Sequence, residues 1–132
     1  MEQKRILIAD DEEDLVTTLK FTLEKEGYEC LTAYDGIEAL DKAKRENPDL
    51  IVLDIMMPKM NGYEVSRLLK FDARFKQIPI IMLTARTQDK DKEIGQETGT
   101  DVYITKPFEM DALVSIVNCI GSAEVGHGRA FS

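Results

Sequence analysis

Leu50-Ile51-Val52-Leu53-Asp54-Ile55-Met56-Met57-Pro58 is the stretch whose reading decides the fold. Four aliphatic residues run into one carboxylate, and a proline ends the run four residues later. A short, unbroken apolar run of this kind reads as a strand buried on both faces, as in the middle of a parallel sheet. A charge at the end of such a strand is costly unless something compensates it. Asp54 therefore either emerges into water at the lip of the sheet or is held there for chemistry.

Three further runs end in a similar way. Ile6-Leu7-Ile8-Ala9 leads into Asp10-Asp11, Ile78-Pro79-Ile80-Ile81-Met82-Leu83 leads into Thr84, and residues 101–105 lead into Lys106-Pro107. Residues 29–33 form a weaker strand candidate. Helical stripes lie between the runs. Residues 12–27 carry Leu15, Val16, Leu19 and Leu23, with Phe21 nearby, and Gly27 as the stop. Asp35-Gly36-Ile37-Glu38 has the spacing of a capping box. The helix that it opens is predicted to bury Ile37 and Leu40 beside Ala39 and Ala43, and to close near Asn47-Pro48. After Asn61-Gly62 a helix carries Tyr63, Val65, Leu68, Leu69 and Phe71. Residues 86–98 are polar, with Ile94 the only aliphatic residue, and predict a weakly packed helix. A last helix places Met110, Leu113, Val114, Val117 and Ile120 on one stripe. Residues 122–132 read as a frayed tail.

Strand and helix alternate five times. This predicts an α/β domain with a parallel sheet. Ligands of such sheets bind outside the carboxyl ends of the strands. Asp10-Asp11, Asp54, Thr84 and Lys106 would all arrive at that edge. One such residue would mean little, but four of complementary type make a site.

Composition narrows the field. The 132 residues suit one domain, and 43% apolar with 32% charged residues describes a globular chain. The net charge of −8 argues against direct nucleic-acid binding, which depends on cations that neutralise phosphates. No apolar run approaches the roughly 18 residues needed to span a bilayer, so no membrane association is expected. No signal peptide is legible at the start, and a cytoplasmic location is expected. Cys30 and Cys119 lack metal-ligand spacing and read as two reduced core thiols.

Three carboxylates close together repel, and one is driven neutral unless a cation joins them. A hard divalent cation with oxygen ligands resolves this, and Mg²⁺ takes few carboxylates, several waters and often a phosphate. A carboxylate beside Mg²⁺ and a lysine suits phosphoryl transfer. Asp54 would then be the nucleophile, with Thr84 and Lys106 contacting phosphoryl oxygens.

Four pieces now stand in order at strand ends: Ile8-Ala9-Asp10-Asp11-Glu12; Val52-Leu53-Asp54-Ile55-Met56-Met57-Pro58 with Gly62; Leu83-Thr84-Ala85; and Tyr103-Ile104-Thr105-Lys106-Pro107-Phe108. With these the chain resembles the receiver domain of two-component response regulators, from about residue 4 to about residue 120. The resemblance implies a doubly wound (βα)5 fold with strand order 2-1-3-4-5. It implies a receiver domain over residues 1–121, followed by a flexible tail. It implies that a histidine kinase supplies the phosphoryl group to Asp54. The metal, Mg²⁺ or alternatively Mn²⁺, would be bound by Asp11, Asp54 and the backbone carbonyl of Met56, and by Asp10 through a water. Thr84 and Tyr103 would be the switch pair that controls a downstream protein or output domain. The Lys106-Pro107 bond is expected to be cis. Phosphorylation and dephosphorylation would be self-catalysed, which makes the chain a switch and not a turnover enzyme.

Two departures stand out. Receivers of this pattern often have Gly-Ala-Asp-Asp-Tyr before the last strand; here it is Gly99-Thr100-Asp101-Val102-Tyr103. The last helix lacks basic residues, which counts against a dimer formed through it; Val102 and Ile116 could instead widen an apolar docking face. Two other readings are weighed. A haloacid-dehalogenase-type phosphotransferase would place a second aspartate two residues after the first, where this chain has Met56. A degenerate receiver acting only as a scaffold sits poorly with the intact set Asp10, Asp11, Asp54, Thr84 and Lys106. His127, in the glycine-rich tail, is not expected to act as a phosphoryl donor or a metal ligand.

Overall fold

The computed structural model describes residues 3–85 and 100–122. The elements are β1 (Arg5–Ala9), α1 (Glu13–Lys25), β2 (Glu29–Ala33), α2 (Gly36–Glu46), β3 (Leu50–Asp54), α3 (Gly62–Lys70), β4 (Ile80–Thr84), β5 (Val102–Thr105) and α4 (Met110–Ser122). The predicted helix over 86–98, the tail and His127 lie outside the described residues.

The five strands form one parallel sheet in the order β2-β1-β3-β4-β5. Side chains alternate between its two faces. Leu7, Ala9, Ile51, Leu53, Ile80 and Met82 pack with Ala39 and Ala43 of α2 and Val65 and Leu69 of α3. Ile6, Ile8, Leu50, Val52, Ile81 and Leu83 pack with Val16, Leu19 and Leu23 of α1 and Leu113 and Val117 of α4. All five residues of β3 are buried, as are all five of β4. Covering both faces in this way is what gives the central strands their continuous apolar character.

Local chemistry starts and stops the helices. At α2, the Asp35 side chain accepts the Glu38 backbone N–H at 2.8 Å. The Glu38 carboxylate accepts the N–H of Tyr34 at 2.8 Å, one residue before the cap, so the expected capping box is only half present. The reciprocal box is instead at α3, where Asn61 accepts from Glu64 N at 2.9 Å and Glu64 accepts from Asn61 N at 3.1 Å. Asn47 ends α2 in the left-handed conformation, φ 48°.

Several burial expectations are corrected. Ile37 is 52% exposed, because it lies well around α2 from the stripe of Gly36, Ala39 and Ala43. Leu68 is exposed on α3, and Phe71, which caps that helix, turns into water at 77% exposure. Cys30 is a buried free thiol as expected, but Cys119 is exposed, on the side of α4 away from Leu113 and Val117. No described helix is long and apolar enough to cross a membrane.

Candidate functional site

The register brings the strand ends level. Ala9 pairs with Leu53 and Leu53 with Met82, so the next residues, Asp10, Asp54 and Leu83, reach the same height. Thr84 pairs with Thr105, and Lys106 follows directly. Backbone hydrogen bonds carry the ladder past the strands into the site. Asp10 N donates to Ala33 O at 3.1 Å, Ile55 N to Leu83 O at 3.3 Å, and Lys106 N to Thr84 O at 2.7 Å.

Carboxylate oxygens of Asp10, Asp11 and Asp54 lie within 4.8 Å of one another. Asp10 is fully buried and Asp54 nearly so, whereas Asp11 is exposed. The Lys106 ammonium pairs with two of them, 2.9 Å from Asp10 Oδ2 and 3.1 Å from Asp54 Oδ1. It also lies 3.1 Å from Glu12 Oε1, a contact the sequence reading did not anticipate. The other oxygen of Asp10 accepts the Glu12 backbone N–H at 2.9 Å.

The electrostatics follow from this crowding. Burial, then repulsion from Asp10, pushes the Asp54 carboxyl up to about 6, although Lys106 opposes the shift. Burial also raises Asp10 above the ordinary carboxylate range, against the hydrogen bonds from Glu12 N–H and Lys106. For Lys106, burial disfavours the charge, but the hydrogen bond to Asp10 and the charge of Asp54 outweigh it and hold the ammonium above its ordinary range. One ammonium does not neutralise this many carboxylates. Hard oxygen donors with charge still to be compensated are what a divalent cation requires.

Asp11, Asp54, Met56 and Lys106 open onto one pocket of about 920 Å³, whose walls include Leu15, Ala85, Pro107, Phe108 and Met110. Met56 is 74% exposed at its rim, whereas Met57 is buried and Met60 half-buried, so these three methionines are split between surface and core. The Lys106-Pro107 bond is cis. Thr84 is buried at the end of β4. Tyr103 is half-buried on β5, where it pairs with Met82 and packs on the core that contains Leu53 and Met82.

The loop that carries Met56 is braced from two sides. Ile55 O accepts from both Met57 N at 3.1 Å and Gly62 N at 2.9 Å, and Gly36 N of α2 donates to Pro58 O at 3.2 Å. A Cβ on Gly62 would stand 2.4 Å from the Asp54 carbonyl oxygen, and one on Gly36 would collide with the Met60 carbonyl. Gly62→Ala is therefore expected to lower stability by about 1–3 kcal/mol, because backbone and not a flexible side chain must yield. Urea denaturation measures this, and an unchanged midpoint would contradict the close approach.

Comparison with known proteins agrees with this geometry. The family model described as the response regulator receiver domain matches residues 6–118. The alkaline phosphatase synthesis transcriptional regulatory protein PhoP of Bacillus subtilis (strain 168) is 50% identical over 117 residues, 86% of this chain and 48% of that protein. The chain thus spans about half the length of this curated relative. Among solved structures, the chemotaxis response regulator CheY4 of Vibrio cholerae superposes with a TM-score of 0.84 at 33% identity, covering 90% of this chain and 99% of that one. The receiver domain of the sensor histidine kinase PA1611 from Pseudomonas aeruginosa PAO1 gives a TM-score of 0.82 at 31% identity, covering 92% and 100%. That structure is described with a magnesium ion coordinated in its active-site cleft.

Proposed function

The chain belongs to the response regulator receiver domain family, and from that premise we propose that Asp54 accepts a phosphoryl group from a histidine kinase in a Mg²⁺-dependent reaction. The observation that carries this reading is the cluster of Asp10, Asp11 and Asp54 carboxylates at the carboxyl edge of the sheet, two of which, Asp10 and Asp54, pair with the Lys106 ammonium. Asp11, Asp54 and the Met56 carbonyl are the proposed direct ligands, since all three residues line the open pocket. Asp10 is enclosed, with its oxygens engaged by Glu12 N–H and Lys106, which favours a role through water. When bound, Mg²⁺ neutralises carboxylate and phosphoryl charge together. Mn²⁺, with similar oxygen preference, would substitute.

The chain's own residues do the remaining work. Asp54 Oδ attacks phosphorus, the phosphorus–nitrogen bond to the kinase histidine breaks, and the imidazole nitrogen departs with the bond pair. Lys106 supplies donors to phosphoryl oxygens, and the Thr84 hydroxyl supplies another. Loss of the phosphoryl group to water would be self-catalysed at the same site. Thr84 and Tyr103, on adjacent strands, are the proposed switch pair. The change they report would reach a downstream protein or an output domain in the cytoplasm. The Bacillus relative is named as a transcriptional regulator, which suggests control of transcription as the output.

Acetyl phosphate tests the reading directly. With Mg²⁺, intact-mass analysis is expected to show one added phosphoryl group; with a chelator it should show none. Metal-independent labelling would sink the proposal. The pH dependence has a definite sign. A proton and a cation compete for Asp54, whose carboxyl titrates near 6 in the metal-free protein. Apparent Mg²⁺ affinity should therefore weaken as pH falls through about 6, as read by calorimetry. An affinity flat from pH 7 to pH 5 would contradict the raised Asp54.

A further inference from the structure

We propose that Glu12 is a latch on Lys106, a positioning residue that must release the ammonium before Asp54 can be phosphorylated. The proposal rests on the phosphoacceptor reading above. Glu12 is the N-cap of α1, yet its side chain makes no cap hydrogen bond. That position favours Ser, Thr, Asp or Asn, whose short side chains turn back onto the helix. Here the longer carboxylate reaches away from the helix to Lys106 Nζ, at 3.1 Å. The ammonium has three N–H donors. Asp10, Glu12 and Asp54 present three carboxylate oxygens to it at 2.9, 3.1 and 3.1 Å.

A phosphoryl group on Asp54 needs one of those donors, so one carboxylate must yield. The relative costs decide which. Asp10 has a side chain with no exposure to water, and losing Lys106 would leave its charge buried and poorly compensated. Asp54 is itself the group being modified. The Glu12 side chain is 62% exposed, so water replaces Lys106 at little cost. Glu12 is thus the partner that lets go. It keeps Lys106 in place in the resting protein and opposes the change that phosphorylation requires.

Single-turnover labelling with acetyl phosphate and saturating Mg²⁺ provides the test. In that reaction the phosphorus–oxygen bond to the acetyl group breaks, a bond to Asp54 Oδ forms, and acetate leaves with its electron pair. Glu12→Gln removes the competing charge and should raise the labelling rate constant by about 2- to 5-fold, the scale of a half-exposed ion pair. Glu12→Asp, too short to reach, should behave likewise. Affinity for Mg²⁺, read separately by calorimetry, should change less than the rate. Glu13, also acidic and in the first turn of α1, controls for bulk charge, since the donor is itself an anion. An equal rise in Glu13→Gln would overturn the latch, because net charge would then account for it. Equal rates in wild type and Glu12→Gln would overturn it as well. A wild-type protein that takes no label would fail the phosphoacceptor reading itself, which separates the two failures. In a Lys106→Ala background, Glu12→Gln should have no effect, and a persisting rise would also refute the latch.

Discussion

Asp54→Asn is expected to fold normally and to take no phosphoryl group from acetyl phosphate and Mg²⁺. The asparagine amide is uncharged and a poor nucleophile, while its shape matches the aspartate that it replaces. Loss of labelling should therefore be complete and not graded. Folding is not the weak point of this variant. Asp54 is nearly enclosed, and burial together with repulsion from Asp10 penalises its charged form. Removing that charge relieves a strain of the metal-free site, so thermal stability without Mg²⁺ should hold or rise. With Mg²⁺ the order should reverse, since the wild type gains a carboxylate ligand that the variant lacks. Intact-mass analysis and thermal melts with and without Mg²⁺ read both effects. Equal labelling of the two proteins would remove Asp54 as the acceptor. A variant that gains as much stability from Mg²⁺ as the wild type would remove it as a ligand.

The central strands were legible because burial on both faces makes a parallel strand read as an unbroken apolar run. A charge at the end of such a run has no packing reason to be there. That logic singles out Asp10, Asp54 and Lys106, Thr84 being the polar end of a fourth run, and the observed register brings all four to one edge. Asp11 followed from its neighbour. Stripe edges were less legible. Ile37 and Phe71 are apolar and adjacent to buried positions, but helix rotation at a terminus decides which way they face, and both face water. Glu12 was read only as a neighbour in a motif, because its pairing with Lys106 spans 94 positions in sequence. The close approach of Gly36 to the Met60 carbonyl was hidden for the same reason. It depends on where α2 begins relative to the loop after β3, which local pattern does not encode.

The ion pair of Lys70 and Asp101 was the least legible feature, and it supports a large stability effect. In sequence these are one charge at a helix end and another before a short strand. In the fold, Lys70 Nζ at the end of α3 donates to Ile78 O at 2.7 Å, Lys76 O at 3.1 Å and Asp101 Oδ2 at 3.1 Å. The same Asp101 oxygen accepts Ile80 N–H at 2.8 Å, and Asp101 N donates to Ile80 O at 3.1 Å. Ser66 Oγ and Thr100 Oγ1, one helical turn and one residue away, lie 3.3 Å apart. These contacts fasten α3, the start of β4 and the entry to β5 together. Both charged side chains are little exposed, 12% and 13%, so removing either one takes an opposite charge from a group held largely away from water. Lys70→Met is therefore expected to cost about 3 kcal/mol, a large part of the roughly 5–15 kcal/mol that holds a domain folded. Asp101→Asn should cost less, since the amide oxygen can still accept Ile80 N–H. The double variant decides whether the pair acts as a unit. With both charges gone neither buried charge loses its opposite, so Lys70→Met with Asp101→Asn should be more stable than the summed single losses by about 1 kcal/mol or more. Urea denaturation of the four proteins closes the cycle. Additive losses would show two independent contacts, and a Lys70→Met loss below about 1 kcal/mol would show that water reaches the pair freely.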